Sequence, residues 1–279
     1  MFAMPAAEWR CQRNIFASPQ KSKDETIKSS CPLSDQKDFA VFTTDAERGS
    51  LEEFERAYFI KKHYQMVVSG TRIGVNSRQK GGSLMNLVGN SAPDFELQGY
   101  FKGDFIKYRL SDYKRKWVIL LFYPLDFTFV CPTEVLNFSS WADQFTKLNC
   151  QIFGISVDSV YVHKVWVDTK REDGGLGGGL NFPLLSDLNK ATAQDYGILT
   201  GNEGVALRGL FLIDQEGIVM HATINNLSVG RSTSEALRVL KAFQFVSSHE
   251  GHVCPADWEE GKDTMLANSD GMRKYLSNH

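Results

Sequence analysis

A chain of 279 residues with 42% hydrophobic content can bury the core of one large domain or two small ones without disulfide staples. Its formal net charge of -2 gives no electrostatic reason to expect nucleic acid or an anionic membrane surface as a partner. No apolar run approaches the roughly 18 residues that span a bilayer, so the expected partners are small solutes and other proteins, not a membrane.

Residues 1–85 differ in character from the remainder, with polar stretches such as Ser18-Pro-Gln-Lys-Ser-Lys-Asp-Glu25, and read as an N-terminal extension. Within it, Arg10, Arg13, Lys21 and Lys23 face the single acid Glu8. That pattern suits an organellar transit peptide, giving a mitochondrial or other organellar location, and equally a disordered tail of a cytoplasmic protein. Residues 51–67 have helical character, so part of the extension is expected to be ordered.

A compact domain is expected over residues 86–250. It begins at Gly89-Asn-Ser-Ala-Pro-Asp-Phe-Glu-Leu97, followed by a hairpin-like alternation over 99–110. Strand 117–123, helix 133–148, strand 151–157 and helix 161–171 then form a β-α-β-α series, which favours parallel strand pairing. The glycine-rich Asp173-Gly-Gly-Leu-Gly-Gly-Gly179 reads as a flexible structural loop. Pro183-Leu-Leu-Ser186 and a helix over 189–196 follow it. Stretches 210–214 and 218–224, joined through Gln215-Glu-Gly217, form the clearest hairpin. Ser232 with Glu235 three residues later has the capping-box pattern of a long helix whose apolar face holds Ala236, Leu237, Leu240, Ala242 and Phe243. Residues 251–279 form a C-terminal tail. A β-α-β half followed by an antiparallel hairpin and a final helix is the order of an α/β, thioredoxin-like fold with a central mixed sheet flanked by helices.

Five cysteines, Cys11, Cys31, Cys131, Cys150 and Cys254, are too few and too scattered for a secreted disulfide framework, and none forms a C-x-x-C pair. Cys131 stands out because a continuously apolar strand runs through Pro124 into a short loop that delivers it to a helix start. Pro132, lacking an N–H, suits the first helical turn. Free N–H groups and the positive end of the helix dipole favour a thiolate there. A helix end supplies only about 0.3–2 kcal/mol, so a nearby cation or further hydrogen bonds are also expected.

Pro124-Leu-Asp-Phe-Thr128-Phe-Val-Cys131 matches the P-x-x-x-T-x-x-C signature of peroxiredoxins, and Val253-Cys254-Pro255 with Asp257-Trp258 resembles the second cysteine motif of the typical two-cysteine members. Gly174-Gly-Leu-Gly177 and Arg208-Gly-Leu-Phe-Leu-Ile-Asp214 stand in the corresponding order. The resemblance implies a thiol peroxidase acting on hydrogen peroxide and organic hydroperoxides. Cys131 would be an exposed nucleophilic thiolate and Thr128 an acceptor for the peroxide hydrogen. Pro124 would shield the site, with Arg208 as the cation beside sulfur and Glu134 holding the arginine in place. It further implies that Cys254 of a partner subunit resolves the sulfenic acid to a disulfide that thioredoxin or a similar dithiol reduces. The assembly would be a homodimer joining into a decameric ring, with Phe127 at the ring contact. No cofactor or metal is implied. In overoxidation-sensitive members a Gly-Gly-Leu-Gly loop packs on a C-terminal helix bearing Tyr-Phe; here the tail reads Lys274-Tyr275-Leu276, so partial sensitivity is expected.

Cys150 reads as core or strand-edge packing, Cys11 and Cys31 as bystanders, and Trp166 with Val162 and Val165 as core. His249 and His252 near Cys254 suggest a metal site but lack further ligands. A dithiol disulfide reductase would need cysteine where Glu134 stands. A holdase chaperone, presenting apolar surface to unfolding clients, is the reading from a different class.

Overall fold

The structure is a computed structural model and describes residues 86–279. The expected helix at 51–67, the targeting pattern at 1–23, and Cys11 and Cys31 lie outside the described residues. Among the described residues, seven strands form one sheet in the order β2-β1-β5-β4-β3-β6-β7. These are β1 Glu96–Phe101, β2 Asp104–Arg109, β3 Trp117–Phe122, β4 Cys150–Ser156, β5 Leu184–Ser186, β6 Arg208–Ile213 and β7 Val219–Asn225. The sheet is mixed: β3 pairs parallel with β4 and antiparallel with β6, while β4 and β5 are parallel. All six residues of β3 are buried, as expected of a central strand covered on both faces.

Helices α1 Cys131–Lys147, α2 Val160–Asp168, α3 Ala191–Asp195 and α4 Thr233–Ser248 accompany the sheet. One core cluster joins Ile119, Leu121, Val135, Phe138, Trp166, Leu237 and Leu240; the other joins Leu120, Phe122, Phe153, Tyr196 and Phe211. Alternate residues of β3 point into each. This arrangement is the thioredoxin-like fold that the element order implied.

Several boundaries differ from the sequence expectations. The helix expected to open at residue 133 opens at Cys131, because Val130 already adopts helical angles and its carbonyl accepts from the N–H groups of Thr133 and Glu134. Helix 161–171 is α2 at 160–168 plus a short 3-10 turn at Arg171–Asp173. Trp166 is fully buried in it, but Val165 points outward. The long helix begins as expected, with Ser232 Oγ accepting from Glu235 N; the reciprocal half of the box is replaced, since the Glu235 carboxylate is held by Arg238.

The glycine loop is pinned to the end of α2. The N–H groups of Leu176, Gly177 and Gly178 donate to the carbonyls of Trp166, Thr169 and Val167. Gly175 lies so close to Thr169 that a Cβ would stand 2.2 Å from its carbonyl oxygen. The tail is also more structured than its sequence suggested, with a two-stranded ribbon of β8 His252–Val253 and β9 Met265–Leu266 and a last helix α5 Ser269–Asn278.

Candidate active site

The site is assembled where β3, α1 and β6 meet. Strand β3 ends at Phe122, the buried Pro124 opens a loop, and Cys131 is the first residue of α1. Arg208 is the first residue of β6, the antiparallel neighbour of β3, so the register brings it beside that helix start. Arg208 Nη1 lies 3.4 Å from Cys131 Sγ. The same nitrogen donates to Glu134 Oε2 at 2.7 Å, and Nε donates to the carbonyl of Leu227 at 2.8 Å. With three acceptors around it, the guanidinium plane has little freedom to turn.

Glu134 is buried one turn into α1 and carries a second cation that sequence reasoning missed. Arg231 donates to Glu134 Oε1 from both its backbone N–H and its Nε, each at 2.7 Å, and its Nη1 donates to the Gly209 carbonyl at 2.6 Å. Gly230 permits this approach, because a Cβ there would press on Glu134 Cγ and Val130 Cγ1 at 3.3 Å. Burial pushes the Glu134 carboxyl up, but the hydrogen bonds and charge of Arg231, with the charge of Arg208, outweigh it and hold the group below the usual carboxylate range. Burial also lowers the Arg231 guanidinium, against the raising effect of Glu134. A signal for Arg231 existed: a buried first-turn glutamate requires compensating cations, and an arginine beside a glycine just before a helix N-cap is well placed to supply one.

The loop over Cys131 is fixed by a second polar cluster that was not anticipated. Asp126 Oδ1 accepts from the Tyr123 hydroxyl at 2.8 Å, and Oδ2 lies 2.7 Å from His163 Nδ1 on α2. His163 Nε2 faces the Leu185 carbonyl at 3.1 Å, and the Asp126 N–H donates to Asp158 at 2.9 Å. Burial raises the Asp126 carboxyl despite His163, and burial with the charge of Asp126 holds the Tyr123 hydroxyl well above its ordinary value. Phe127 takes a left-handed φ of +53° in this loop, an uncommon conformation for a bulky side chain, and its ring meets Trp166 at 6.2 Å.

Cys131, Glu134 and Arg208 therefore come together as the sequence implied, with Pro124 and Thr128 in the loop above them. The half-buried Thr128 donates its hydroxyl to the Leu125 carbonyl at 2.9 Å and not to the sulfur. One expectation is corrected: Cys131 is fully buried, 0% exposed, because it belongs to the core cluster that also holds Tyr123, Val135 and Phe138. Cys150 is a buried strand residue whose thiol burial pushes up strongly. Cys254 stands in a different setting, half-buried against α4 with Sγ 3.8 Å from the Ala242 carbonyl, and burial raises its thiol. Cys131, Cys150 and Cys254 are all unbridged. Nearby, His249 stacks on Phe245 at 3.9 Å, and His252 Nδ1 meets Thr264 Oγ1 at 3.0 Å.

Residues 88–222 match the AhpC/TSA family, and residues 242–278 match the family described as the C-terminal domain of 1-Cys peroxiredoxin. Over 192 residues the chain is 51% identical to Peroxiredoxin-2 of Mus musculus, an alignment that spans 69% of this chain and 96% of that one. The chain belongs to the peroxiredoxin family. A chloroplastic 2-Cys peroxiredoxin of Arabidopsis thaliana is 51% identical over 192 residues, covering 68% of this chain and 72% of the relative. The solved reduced 2-Cys peroxiredoxin of Plasmodium vivax aligns with a TM-score of 0.67 at 41% identity, covering 69% of this chain and 100% of that one. The mitochondrial 2-Cys peroxiredoxin of Plasmodium falciparum aligns with a TM-score of 0.57 at 43% identity, covering 61% and 100%. Although one matched description names one-cysteine proteins, the matched stretch contains Cys254 and these relatives are two-cysteine proteins. This peroxiredoxin is a thiol peroxidase of the two-cysteine type.

Proposed function

We propose that the peroxidase reduces hydrogen peroxide and alkyl hydroperoxides through Cys131, with Cys254 of a partner subunit resolving the product. The observation that carries this reading is the 3.4 Å approach of Arg208 Nη1 to Cys131 Sγ at the first turn of α1. A guanidinium and a helix N-terminus both favour negative charge on sulfur. The thiolate attacks one peroxide oxygen, the O–O bond breaks, and the other oxygen leaves as hydroxide or alkoxide. Cys131 then carries a sulfenic acid. Arg208 stabilises the charge that develops on the leaving oxygen. Thr128, whose proton goes to Leu125, keeps lone pairs to accept from the peroxide hydrogen. Because Cys131 is buried, a small outward movement of the loop over residues 124–130 has to admit the peroxide.

The Cys254 thiol next attacks the sulfenic sulfur and water leaves, forming a disulfide that thioredoxin or a similar dithiol reduces by exchange. Homodimer formation is supported by β7, the last strand of the sheet among the described residues, whose outer edge beyond the pairing of Ile218 and Val219 with residues 89–91 is open to a second copy. Exposed Phe127, Tyr161 and Val165 around the active-site loop support a further contact that closes dimers into a decameric ring. The same apolar surface favours a holdase as a second activity. Cys131→Ser separates the two, because it removes peroxide consumption and leaves suppression of client aggregation. The basic character of residues 1–23 supports delivery to an organelle, which fractionation of cells expressing the tagged chain decides. For the main reading, non-reducing mass spectrometry after one equivalent of peroxide should find two chains joined through Cys131 and Cys254. A Cys131→Ser protein that consumed peroxide at the original rate would reject it.

A further inference from the structure

The face of α4 turned away from the sheet core does something that the peroxidase mechanism has not used. Ala236, Leu237 and Leu240 bury one side of this helix. Arg238, Lys241, Ala242, Phe245 and His249, at helical spacings of i, i+3, i+4, i+7 and i+11, form a stripe to one side of it. Every member of that stripe touches the ribbon that carries Cys254 or a residue that does. Arg238 Nη1 donates to the Trp258 carbonyl at 2.8 Å. Lys241 Nζ pairs with Glu260 Oε2 at 2.7 Å. The Ala242 carbonyl lies 3.8 Å from Cys254 Sγ. Phe245 meets the Trp258 ring at 5.2 Å and the His252 ring at 6.2 Å, and it also stacks on His249.

Arg238 is prepared for its contact. Its Nε and Nη2 are held by both oxygens of Glu235, at 2.7 and 2.8 Å, which leaves Nη1 aimed at the tail. Trp258 is buried to 3% exposure, and its indole N–H donates to the Lys262 carbonyl at 3.0 Å, closing a turn around Glu260. The Cys254 segment is thus bound to its own subunit by two cationic contacts and one aromatic anchor. A disulfide requires the two Cα atoms to come within about 7 Å, so a thiol held against Ala242 has to leave this stripe before it reaches another chain.

We propose that Arg238 and Lys241 form a charge latch that sets how fast the Cys254 segment is released, and so divides oxidised Cys131 between two fates. They are positioning residues, acting through the Trp258 carbonyl and Glu260. In one fate the Cys254 thiol displaces water from the sulfenic acid and forms the disulfide. In the other, a second peroxide delivers an oxygen to the sulfenic sulfur, giving a sulfinic acid and an alcohol or water. A tighter latch lengthens the life of the sulfenic acid and favours the second. The inference rests on the proposed roles of Cys131 and Cys254. Lys241 and Glu260 are 29% and 67% exposed, so their part of the latch is screened by salt.

The test uses the full-length protein with Lys241→Gln, Glu260→Gln, the double variant, the reversed pair K241E/E260K, and Arg238→Gln. Alkylation of Cys254 in the reduced protein, located by mass spectrometry, reads release without any peroxide chemistry. The rate of disulfide formation after one peroxide pulse, and the ratio of disulfide to sulfinic acid, read the consequence. Each neutral variant at the ion pair should speed alkylation and disulfide formation by about two- to fivefold, the range an exposed pair supplies. The double variant should match the singles, the reversed pair should return to wild type, and raised salt should remove the differences. Arg238→Gln should act more strongly, by about tenfold, because it loses a charge-assisted bond to a carbonyl. Unchanged alkylation in every variant overturns the latch, as does faster alkylation with an unchanged disulfide rate. If wild type forms no bond between Cys131 and Cys254, the proposed resolving role fails instead, and alkylation still decides whether the latch exists.

Discussion

Cys131 and Cys254 are held in contrasting ways. Around Cys131, a central strand, a helix start, the neighbouring strand bearing Arg208 and the segment bearing Arg231 all converge on one buried carboxylate, Glu134. Around Cys254, the contacts among the described residues come from α4 and its C-cap His249, and several are exposed at their polar ends. The first region is over-determined, and removing any member strands a buried charge. The second is a local unit whose opening leaves the core intact. The proposed cycle, in which one sulfur waits in a fixed electrostatic frame while the other travels, requires this asymmetry.

The largest test of the comparison is Glu134→Gln. It leaves Arg208 and Arg231 buried and facing one neutral amide, which should cost about 3–5 kcal/mol and remove most peroxidase activity. Denaturant unfolding and single-turnover oxidation of Cys131 check the two effects. A stable variant with ordinary activity would mean that the frame around Cys131 is no more determined than the tail.

The same carboxylate gives a sharper test through pH. Glu134 is held below the ordinary carboxylate value of 4.5 in the folded chain, so the unfolded chain binds its proton first as pH falls. Its contribution is fully present above pH 4.5 and is lost as pH drops through the folded value. The stability gap between wild type and Glu134→Gln should therefore be constant from pH 6 to about 5 and narrow at lower pH. Cys254 alkylation is not expected to follow that curve, because no contact of the tail involves Glu134. A parallel change in both would show that the two regions are coupled.

On the side of the tail, Trp258→Ala removes the aromatic anchor. Loss of a buried tryptophan in a continuous core costs about 3–5 kcal/mol. Here most of the effect should appear as local opening, with faster amide exchange over residues 252–262 and a small shift in the main unfolding transition. A large fall in global stability would show that the tail is part of the core.

Much of this contrast was legible before any coordinates. The all-apolar run of β3 announced a central strand, and the break at Pro124 with Pro132 beyond it placed Cys131 at a helix start. Periodicity and motif order fixed the elements because burial, propensity and turn chemistry agree there. What stayed hidden depended on distant pairing. The glycine and helix N-cap beside Arg231 mark it as a candidate cation but do not name Glu134, 97 residues away, as its partner, and nothing local shows that His163 meets Asp126. The burial of Cys131 was also missed, since a helix start can face solvent or core and only the packing of the loop decides. The ribbon in the tail had no signal because β8 and β9 are two residues each, too short for any period to register.

The smallest effect concerns the last helix, where the tail meets its own limit. Tyr275 is half-buried and Leu276 is 65% exposed on α5, while Leu176 of the pinned glycine loop is fully buried. If the loop and α5 of a partner together restrain the movement of Cys254, an aromatic ring at position 276 adds apolar contact that leucine lacks. Leu276→Phe should strengthen that restraint by about 0.5–1 kcal/mol and lower the peroxide dose at which sulfinic acid forms on Cys131 by a few fold. Because the proposed latch on α4 and such a contact of α5 would hold different ends of the same segment, Leu276→Phe combined with Lys241→Gln should sum their separate effects on the logarithm of the disulfide-to-sulfinic ratio. Wild-type protein that yields no sulfinic acid at any peroxide dose would remove both restraints from the account, since release would then never compete with a second oxidation.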